Sequence, residues 1–149
     1  MIVYALYGKE KIGKTTVIKS VCEKLEKNYT PVFSKNYSED ICRVFKIDDK
    51  MVGITSYGDN EDVLKEPFDT FKKCNCEIIL TASRIRYTKS GSALTVYNFC
   101  KDNGINKPEW IKKDYVEARN KDDYSKQIDE INCKVANELF NIIMESAKA

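Results

Sequence analysis

Two glycines, a lysine and a threonine near the amino terminus have the spacing of a phosphate-binding turn. The eight residues with this G-x-x-x-x-G-K-T pattern are Gly8-Lys9-Glu10-Lys11-Ile12-Gly13-Lys14-Thr15. Gly8 allows a sharp turn, and Gly13 leaves no side chain where the backbone meets a phosphate. The loop amides and those of a following helix would then surround the phosphate, and Lys14 would reach its oxygens. The spacing therefore predicts a site for nucleotide phosphates.

Two hydroxyls extend this candidate site. Thr15 is expected to bind Mg²⁺, and Thr16 is expected to contact the α-phosphate. Such a turn needs a strand before it and a helix after it. The apolar run Ile2 to Tyr7 predicts a buried strand, and Lys14 to Lys27 predicts an amphipathic helix. The apolar side of that helix consists of Val17, Ile18, Val21 and Leu25.

With the motif in this context, the chain resembles the P-loop NTPase superfamily. Its layout is most similar to that of small nucleotide and shikimate kinases. The resemblance implies ATP and Mg²⁺ as ligands, and a three-layer α/β/α P-loop fold in which residues 1–149 form a single nucleotide-binding domain. The nucleotide-binding residues that it implies are Gly8, Lys9, Glu10, Lys11, Ile12, Gly13, Lys14, Thr15 and Thr16, of which Lys14 also has a catalytic role.

The resemblance also implies an acidic residue at the end of a neighbouring strand, where it would hold the magnesium ion. Asp59 is the first candidate, because it follows an apolar run and a glycine, Gly58. Three residues separate the run from Asp59, whereas the family's acid usually follows directly. The alternative is a solvated acidic cluster in which Asp59 caps a helix. Glu61 is a second candidate carboxylate, for activating water.

A basic segment, Arg84 to Lys89, follows the apolar run Glu77 to Ala82. Arginines at the end of a parallel strand can clamp a phosphoryl group during its transfer. Arg84 and Arg86 are therefore candidate catalytic residues, with Ser90 and Gly91 supplying flexibility for a lid. The alternative interpretation is a basic surface loop.

The composition removes several classes of function. The chain has 149 residues, a net charge of +2, six cysteines and no histidine. Without an imidazole there can be no Ser-His-Asp or Cys-His nucleophile. The near-neutral charge does not indicate a nucleic-acid or membrane binder. No apolar run is long enough for a signal peptide or a membrane span, so we expect a cytoplasmic protein with reduced thiols.

Strand and helix patterns alternate along the chain, which predicts an α/β fold with a mostly parallel sheet. The runs Ile41 to Ile47 and Met51 to Ser56 predict a hairpin that makes one strand antiparallel. Residues 28–40 read as polar and irregular, with a short extended piece at Pro31 to Ser34. The remaining predicted elements are a helix at Asp62 to Lys73 with Pro67 at its start or at a kink, a strand at Glu77 to Ala82, a helix at Ser92 to Asn103 ended by Gly104, a strand at Trp110 to Val116 and a helix at Asp123 to Lys148.

Three functions remain open at this point. The first is a kinase-like phosphotransferase that moves the γ-phosphate of ATP to a small acceptor such as a nucleotide. The second is an ATPase module that couples nucleotide state to a partner protein, and the third is a nucleotide binder without turnover. The sequence lacks the Asn-Lys-x-Asp string of guanine-specific proteins, which favours ATP. Lys112 and Lys113 are expected on a solvated face, and Trp110 is expected to anchor the last strand.

Overall fold

A computed structural model of the chain describes residues 1–8, 13–58, 61–84, 91–105, 107–113 and 121–149, with the backbone alone for 61–62 and 121–124. Over these residues the protein is an α/β fold with six strands and four helices. In chain order the elements are β1 (Ile2–Tyr7), α1 (Lys14–Glu26), β2 (Phe33–Tyr37), β3 (Asp40–Ile47), β4 (Lys50–Thr55), α2 (Glu61–Lys73), β5 (Ile78–Ser83), α3 (Gly91–Asp102), β6 (Glu109–Lys112) and α4 (Lys121–Lys148).

The strands form one mixed sheet in the order β2-β3-β4-β5-β1-β6. β1 is parallel to β5 and to β6, and β4 is parallel to β5. β3 is antiparallel to both of its neighbours, so it alone runs in reverse within the described sheet. This confirms the predicted hairpin. The reversal also brings the first residue of β3, Asp40, to the edge where the other strands end, which we call the carboxyl edge.

Apolar side chains on both faces of the sheet are covered by helices. Leu6 of β1 and Leu80 of β5 pack in a cluster with α1 and α4. Val3 of β1 and Ile79 of β5 pack in a second cluster with α2 and α3. These side chains are at most 1% exposed. Burial of each such side chain contributes about 1.5–3 kcal/mol to the stability of the fold. The two clusters therefore keep the strands that form the carboxyl edge in fixed positions.

The predicted apolar side of α1 is confirmed, because Val17, Ile18, Val21 and Leu25 are all fully buried. The side predicted for α4 (Ile128, Ile131, Val135, Leu139 and Ile142) is partly wrong. Its buried residues follow a four-residue step along the second half of the helix instead. They are Val135, Ala136, Leu139, Ile143 and Ala147. The buried side therefore includes Ile143, while Ile142 is only half-buried.

Three boundaries differ from the sequence interpretation. The segment read as irregular contains β2, and β3 begins within it at Asp40. Pro67 lies inside α2, so it does not mark the start of that helix. The last strand ends at Lys112, and the predicted continuation to Val116 lies outside the described residues after Lys113. The predicted end of α3 is confirmed, since Gly104 has φ +75° and the Ile105 amide bonds the Cys100 carbonyl.

None of the helices described has both the length and the apolar content needed to cross a membrane.

Candidate functional site

The turn between β1 and α1 ends in a residue with left-handed backbone geometry. Gly13 has φ 96° and ψ 16°, and its carbonyl accepts the first helical hydrogen bond, from the Val17 amide at 3.0 Å. A residue with a side chain is strained in this conformation. The first turn of α1 carries no acidic side chain. The helix therefore presents its partly positive amino end at the carboxyl edge without an intrinsic acidic residue to offset it.

The space beside Gly13 is filled by α4. A Cβ atom on Gly13 would lie 2.8 Å from both terminal amide atoms of Asn132. The φ angle of Gly13 is therefore the stronger reason for a glycine here, because the amide of Asn132 is the end of a side chain that could shift. The Oδ1 atom of Asn132 is buried and has no hydrogen-bond partner within the described chain. The long helix α4 therefore touches the turn through an amide with unused hydrogen-bonding capacity.

Lys14 is buried, with 8% of its surface exposed. Its Nζ atom donates hydrogen bonds of 2.6 Å to the Gly8 carbonyl and 2.8 Å to the Ser83 carbonyl. The Gly8 amide donates to the same Ser83 carbonyl at 3.3 Å. Gly8 follows β1 and Ser83 ends β5, the strand beside it. The ammonium group is therefore fixed between the ends of two central strands.

Thr15 reaches the start of β3. Its Oγ1 donates a 3.1 Å hydrogen bond to Oδ1 of Asp40. Ser56, which follows β4 and is 3% exposed, donates to the same oxygen at 2.8 Å. Sequence reasoning missed Asp40, because the segment before it read as irregular. The sequence feature that could have placed Asp40 at the start of a strand is the polar pair Ser38 and Glu39. These two residues can form a turn between two runs that can pair as strands.

The chain after β4 crosses the end of β5. Gly58 is buried, and a Cβ atom on it would lie 2.2 Å from the Ala82 carbonyl oxygen. A glycine is therefore needed at this position. β5 lies between β4 and β1, so Gly58 is on the β1 side of its own strand. The candidate Asp59 comes next in the chain but lies outside the described residues, as does the side chain of Glu61.

Arg84 follows β5 directly and is exposed. Its amide donates a 3.1 Å hydrogen bond to Oγ of Ser92, and that hydroxyl also lies 3.3 Å from Oγ of Ser83. Ser92 is the second residue of α3 and is 1% exposed. Its hydroxyl therefore links Arg84 and the end of β5 to the start of α3. Arg86, the other candidate in that segment, lies outside the described residues.

Three further predicted contacts have different outcomes. Thr16 is exposed in the first turn of α1. Lys9, Glu10, Lys11 and Ile12 lie outside the described residues. The prediction that Lys113 lies on a solvated face is wrong, since this side chain is 1% exposed and its amide bonds the Tyr7 carbonyl at 2.8 Å. The pairing of β6 with β1 brings Lys113 next to the end of β1. The local sequence pattern does not contain this pairing.

Aromatic residues flank the site on both sides. Trp110 of β6 meets Tyr7 edge-to-face, with ring centroids 5.9 Å apart, as expected of an anchor for the last strand. On the other side, Tyr37 and Tyr57 stack at 4.8 Å. Burial, and then the hydrogen bond to Glu66, raise the pKa of Tyr37, so its hydroxyl remains a donor. The stack joins the ends of β2 and β4 on either side of Asp40.

The oxygens around Thr15 suit a hard cation. Mg²⁺ at a nucleotide typically takes one or two carboxylates with the phosphates and water. Asp40 and Thr15 supply oxygen atoms of this kind, 3.1 Å apart. Within the described ranges, no three His, Cys, Asp or Glu side chains form a metal-binding group. The carboxylate of Asp40 and the hydroxyl of Thr15 are oxygen ligands of the type that Mg²⁺ accepts, and such an ion would need further ligands from a nucleotide and water.

Comparison of the chain with protein families, with curated proteins and with solved structures found no match.

Proposed function

We propose that this chain binds Mg-ATP at the carboxyl edge of the sheet and transfers the γ-phosphate to a small acceptor such as a nucleotide. In this proposal the fold is that of a P-loop NTPase. The observation that carries it is the position of Lys14, whose buried ammonium group lies between the carbonyls of Gly8 and Ser83. A cation held at a helix amino end, directly after a glycine-rich turn, is suited to phosphate oxygens.

In the proposed reaction an oxygen of the acceptor attacks the γ-phosphorus. The bond from that phosphorus to the β–γ bridging oxygen breaks, and ADP leaves. Lys14 and the amides of α1 offset the negative charge on the β- and γ-phosphate oxygens. A magnesium ion bound with the nucleotide beside Thr15 would supply further charge neutralisation. In this proposal Arg84, which follows β5 directly and is exposed, contacts the transferred group. Phosphoryl transfer of this kind depends on positioning and charge, so the lack of histidine is compatible with it.

The first test is thermal. Addition of Mg-ATP is expected to raise the Tm of the wild type, and Lys14→Ala is expected to abolish the rise. Lys27→Ala, at the other end of α1 and exposed, is the matched control and should keep it. A wild-type Tm that does not respond to Mg-ATP would refute nucleotide binding and the whole proposal.

The second test concerns the reaction. ADP production is measured with a panel of nucleoside monophosphates and without any acceptor. We expect ADP to form only with one class of acceptor, together with a phosphorylated product. Binding of Mg-ATP without any ADP formation would refute transfer and leave a nucleotide binder.

A second candidate function is an ATPase that signals to a partner protein. The contact of Asn132 with Gly13 favours this candidate, because a movement of the turn would displace Asn132 and could thereby shift the long helix α4. Slow ADP formation that needs no acceptor, and that a partner protein accelerates, would support this candidate over the kinase.

A further inference from the structure

We infer that Asp40 is the carboxylate that holds the nucleotide's magnesium ion together with Thr15. This inference rests on the proposed function, since the magnesium is that of bound Mg-ATP. It assigns to the first residue of β3 a role that sequence reasoning gave to Asp59.

The reversed strand places Asp40 at the site. The turn at Ser38 and Glu39 connects β2 to β3, and Tyr37 pairs with Asp40 across it. Because β3 runs opposite to β4, its first residue lies at the carboxyl edge, beside Thr15 of α1. A carboxylate thus reaches this edge at the beginning of a strand.

The hydrogen bonds around Asp40 have a defined direction. The Ile41 amide donates to Oγ of Ser56 at 3.0 Å, so the single hydroxyl proton of Ser56 is available for Asp40. Asp40 therefore accepts from Ser56, and it also accepts from Thr15. Two donors thus share one carboxylate oxygen. The bond from Thr15 fixes the rotation of its own hydroxyl, whose lone pairs are left for a cation.

The other carboxylate oxygen of Asp40 remains available. Among the described residues, Oδ2 accepts no hydrogen bond, and no lysine or arginine forms an ion pair with this side chain. The 3.1 Å hydrogen bond from Thr15 Oγ1 to Oδ1 holds the hydroxyl oxygen beside this carboxylate, so that Oγ1 and the free Oδ2 are both near the same position. The pair therefore fits a magnesium ion directly or through one of its water molecules.

The test measures ATP affinity by calorimetry with and without Mg²⁺, and Mn²⁺ binding to the protein–ATP complex by electron paramagnetic resonance. Asp40→Asn is the main variant. Its amide oxygen can still accept from Thr15 and Ser56, so the fold should be kept while the charge is lost. Asp49→Asn, in the exposed turn at the other end of β3, is the matched control. Asp59→Asn tests the rival carboxylate.

We expect Asp40→Asn to weaken Mn²⁺ binding to the ATP complex about 10- to 100-fold. It should also remove the gain in ATP affinity that Mg²⁺ gives, while affinity for metal-free ATP is retained. Asp49→Asn should match the wild type. If Asp40→Asn lowers the Tm of the free protein strongly, Asp40→Glu, which restores the charge, should recover metal binding in part.

The inference is overturned if Asp40→Asn keeps the full magnesium effect, or if Asp59→Asn alone abolishes it. Either result leaves the proposed function standing, since ATP would still bind in a magnesium-dependent manner. A wild type that binds no ATP overturns both, and the calorimetry of the wild type shows this before any variant is made.

Discussion

Gly58 lies against the carbonyl group of Ala82, so closely that a Cβ atom on Gly58 would lie 2.2 Å from the carbonyl oxygen. The neighbouring atom is strand backbone, paired with Leu6 of β1, and it cannot move aside as a side chain would. This contact fixes the path of the chain between β4 and α2, immediately before Asp59. A side chain at position 58 is therefore expected to destabilise the fold.

Gly58→Ala should destabilise the protein by about 3 kcal/mol, because a methyl group has to displace the end of β5. Gly104→Ala is the comparison. It has open space around it and a φ of +75°, so it should cost only about 1–2 kcal/mol of backbone strain. Chemical denaturation of both variants measures the difference. Equal losses would contradict the contact with Ala82.

Ser92→Ala should weaken the link between Arg84, at the start of the basic segment, and α3. The variant removes the acceptor of the Arg84 amide and the neighbour of the Ser83 hydroxyl. Loss of about 1 kcal/mol of hydrogen bonding would make the Arg84 amide exchange about five times faster. Hydrogen exchange followed by NMR reports this amide directly. Ser34→Ala, on the exposed edge strand β2, should leave it unchanged.

Arg84→Ala should slow ADP formation about a hundredfold or more while nucleotide affinity changes little, if the arginine contacts the phosphoryl group during transfer. Arg84→Lys, which keeps the charge but not the planar fork, should recover the rate in part. Lys101→Ala, exposed in the last turn of α3, is the control cation. Steady-state kinetics separates the two effects. Arg86→Ala is expected to behave like Arg84→Ala, and normal turnover in both variants would exclude the clamp.

The cysteines should fall into two reactivity classes. Burial raises the pKa of Cys22, Cys42 and Cys76 to about 12 and that of Cys100 to about 11. Cys133 is exposed and Cys74 is half-buried. At pH 8 a thiol reagent should therefore modify Cys133 first, Cys74 more slowly and the remaining four only after unfolding. Rapid modification of all six cysteines in the native protein would contradict the burial of these four thiols.

The same thiols predict a loss of stability at alkaline pH. Cys22 ionises near its ordinary pKa of 9.0 in the unfolded chain, but only near about 12 when folded. Above pH 9 the unfolded state therefore binds fewer protons than the folded state. The free energy of unfolding should consequently fall as the pH rises from about 9 to about 12. Denaturant titrations across this range test the sign, and Cys22→Ala should reduce the slope.

The sequence predicted the order of the major elements because their patterns are local. The run Ile2 to Tyr7 is apolar, and the helix that begins at Lys14 repeats its apolar residues at helical spacing. Only the beginning of the edge strand β2 was predicted, within an extended piece at Pro31 to Ser34, because its central residues, Ser34 to Asn36, are polar and exposed. Such a strand is recognisable mainly from its pairing with β3, which local pattern does not contain.

Two residues show why the site was only partly predictable. Asp40 reaches Thr15 across 25 positions of sequence, and Lys113 is buried beside Tyr7 by the pairing of β6 with β1. Both placements depend on which strands become neighbours. The position of Lys14 at the start of α1 could be predicted without knowing the strand order, because β1, the turn and α1 are contiguous in the sequence. The roles assigned to Lys14, Thr15 and Thr16, like those assigned to Asp59, Arg84 and Arg86, stay predictions.

Among the described strands, the reversed direction of β3 also makes the hairpin turns at its two ends unequal for protein engineering. The turn at Ser38 and Glu39 lies next to Asp40, whereas the turn at Asp48 and Asp49 lies at the far end of β3. A peptide grafted into the first turn would be displayed at the carboxyl edge, and one grafted into the second would be displayed at the opposite edge of the sheet. The two turns of one meander thus provide insertion points on opposite sides of the molecule.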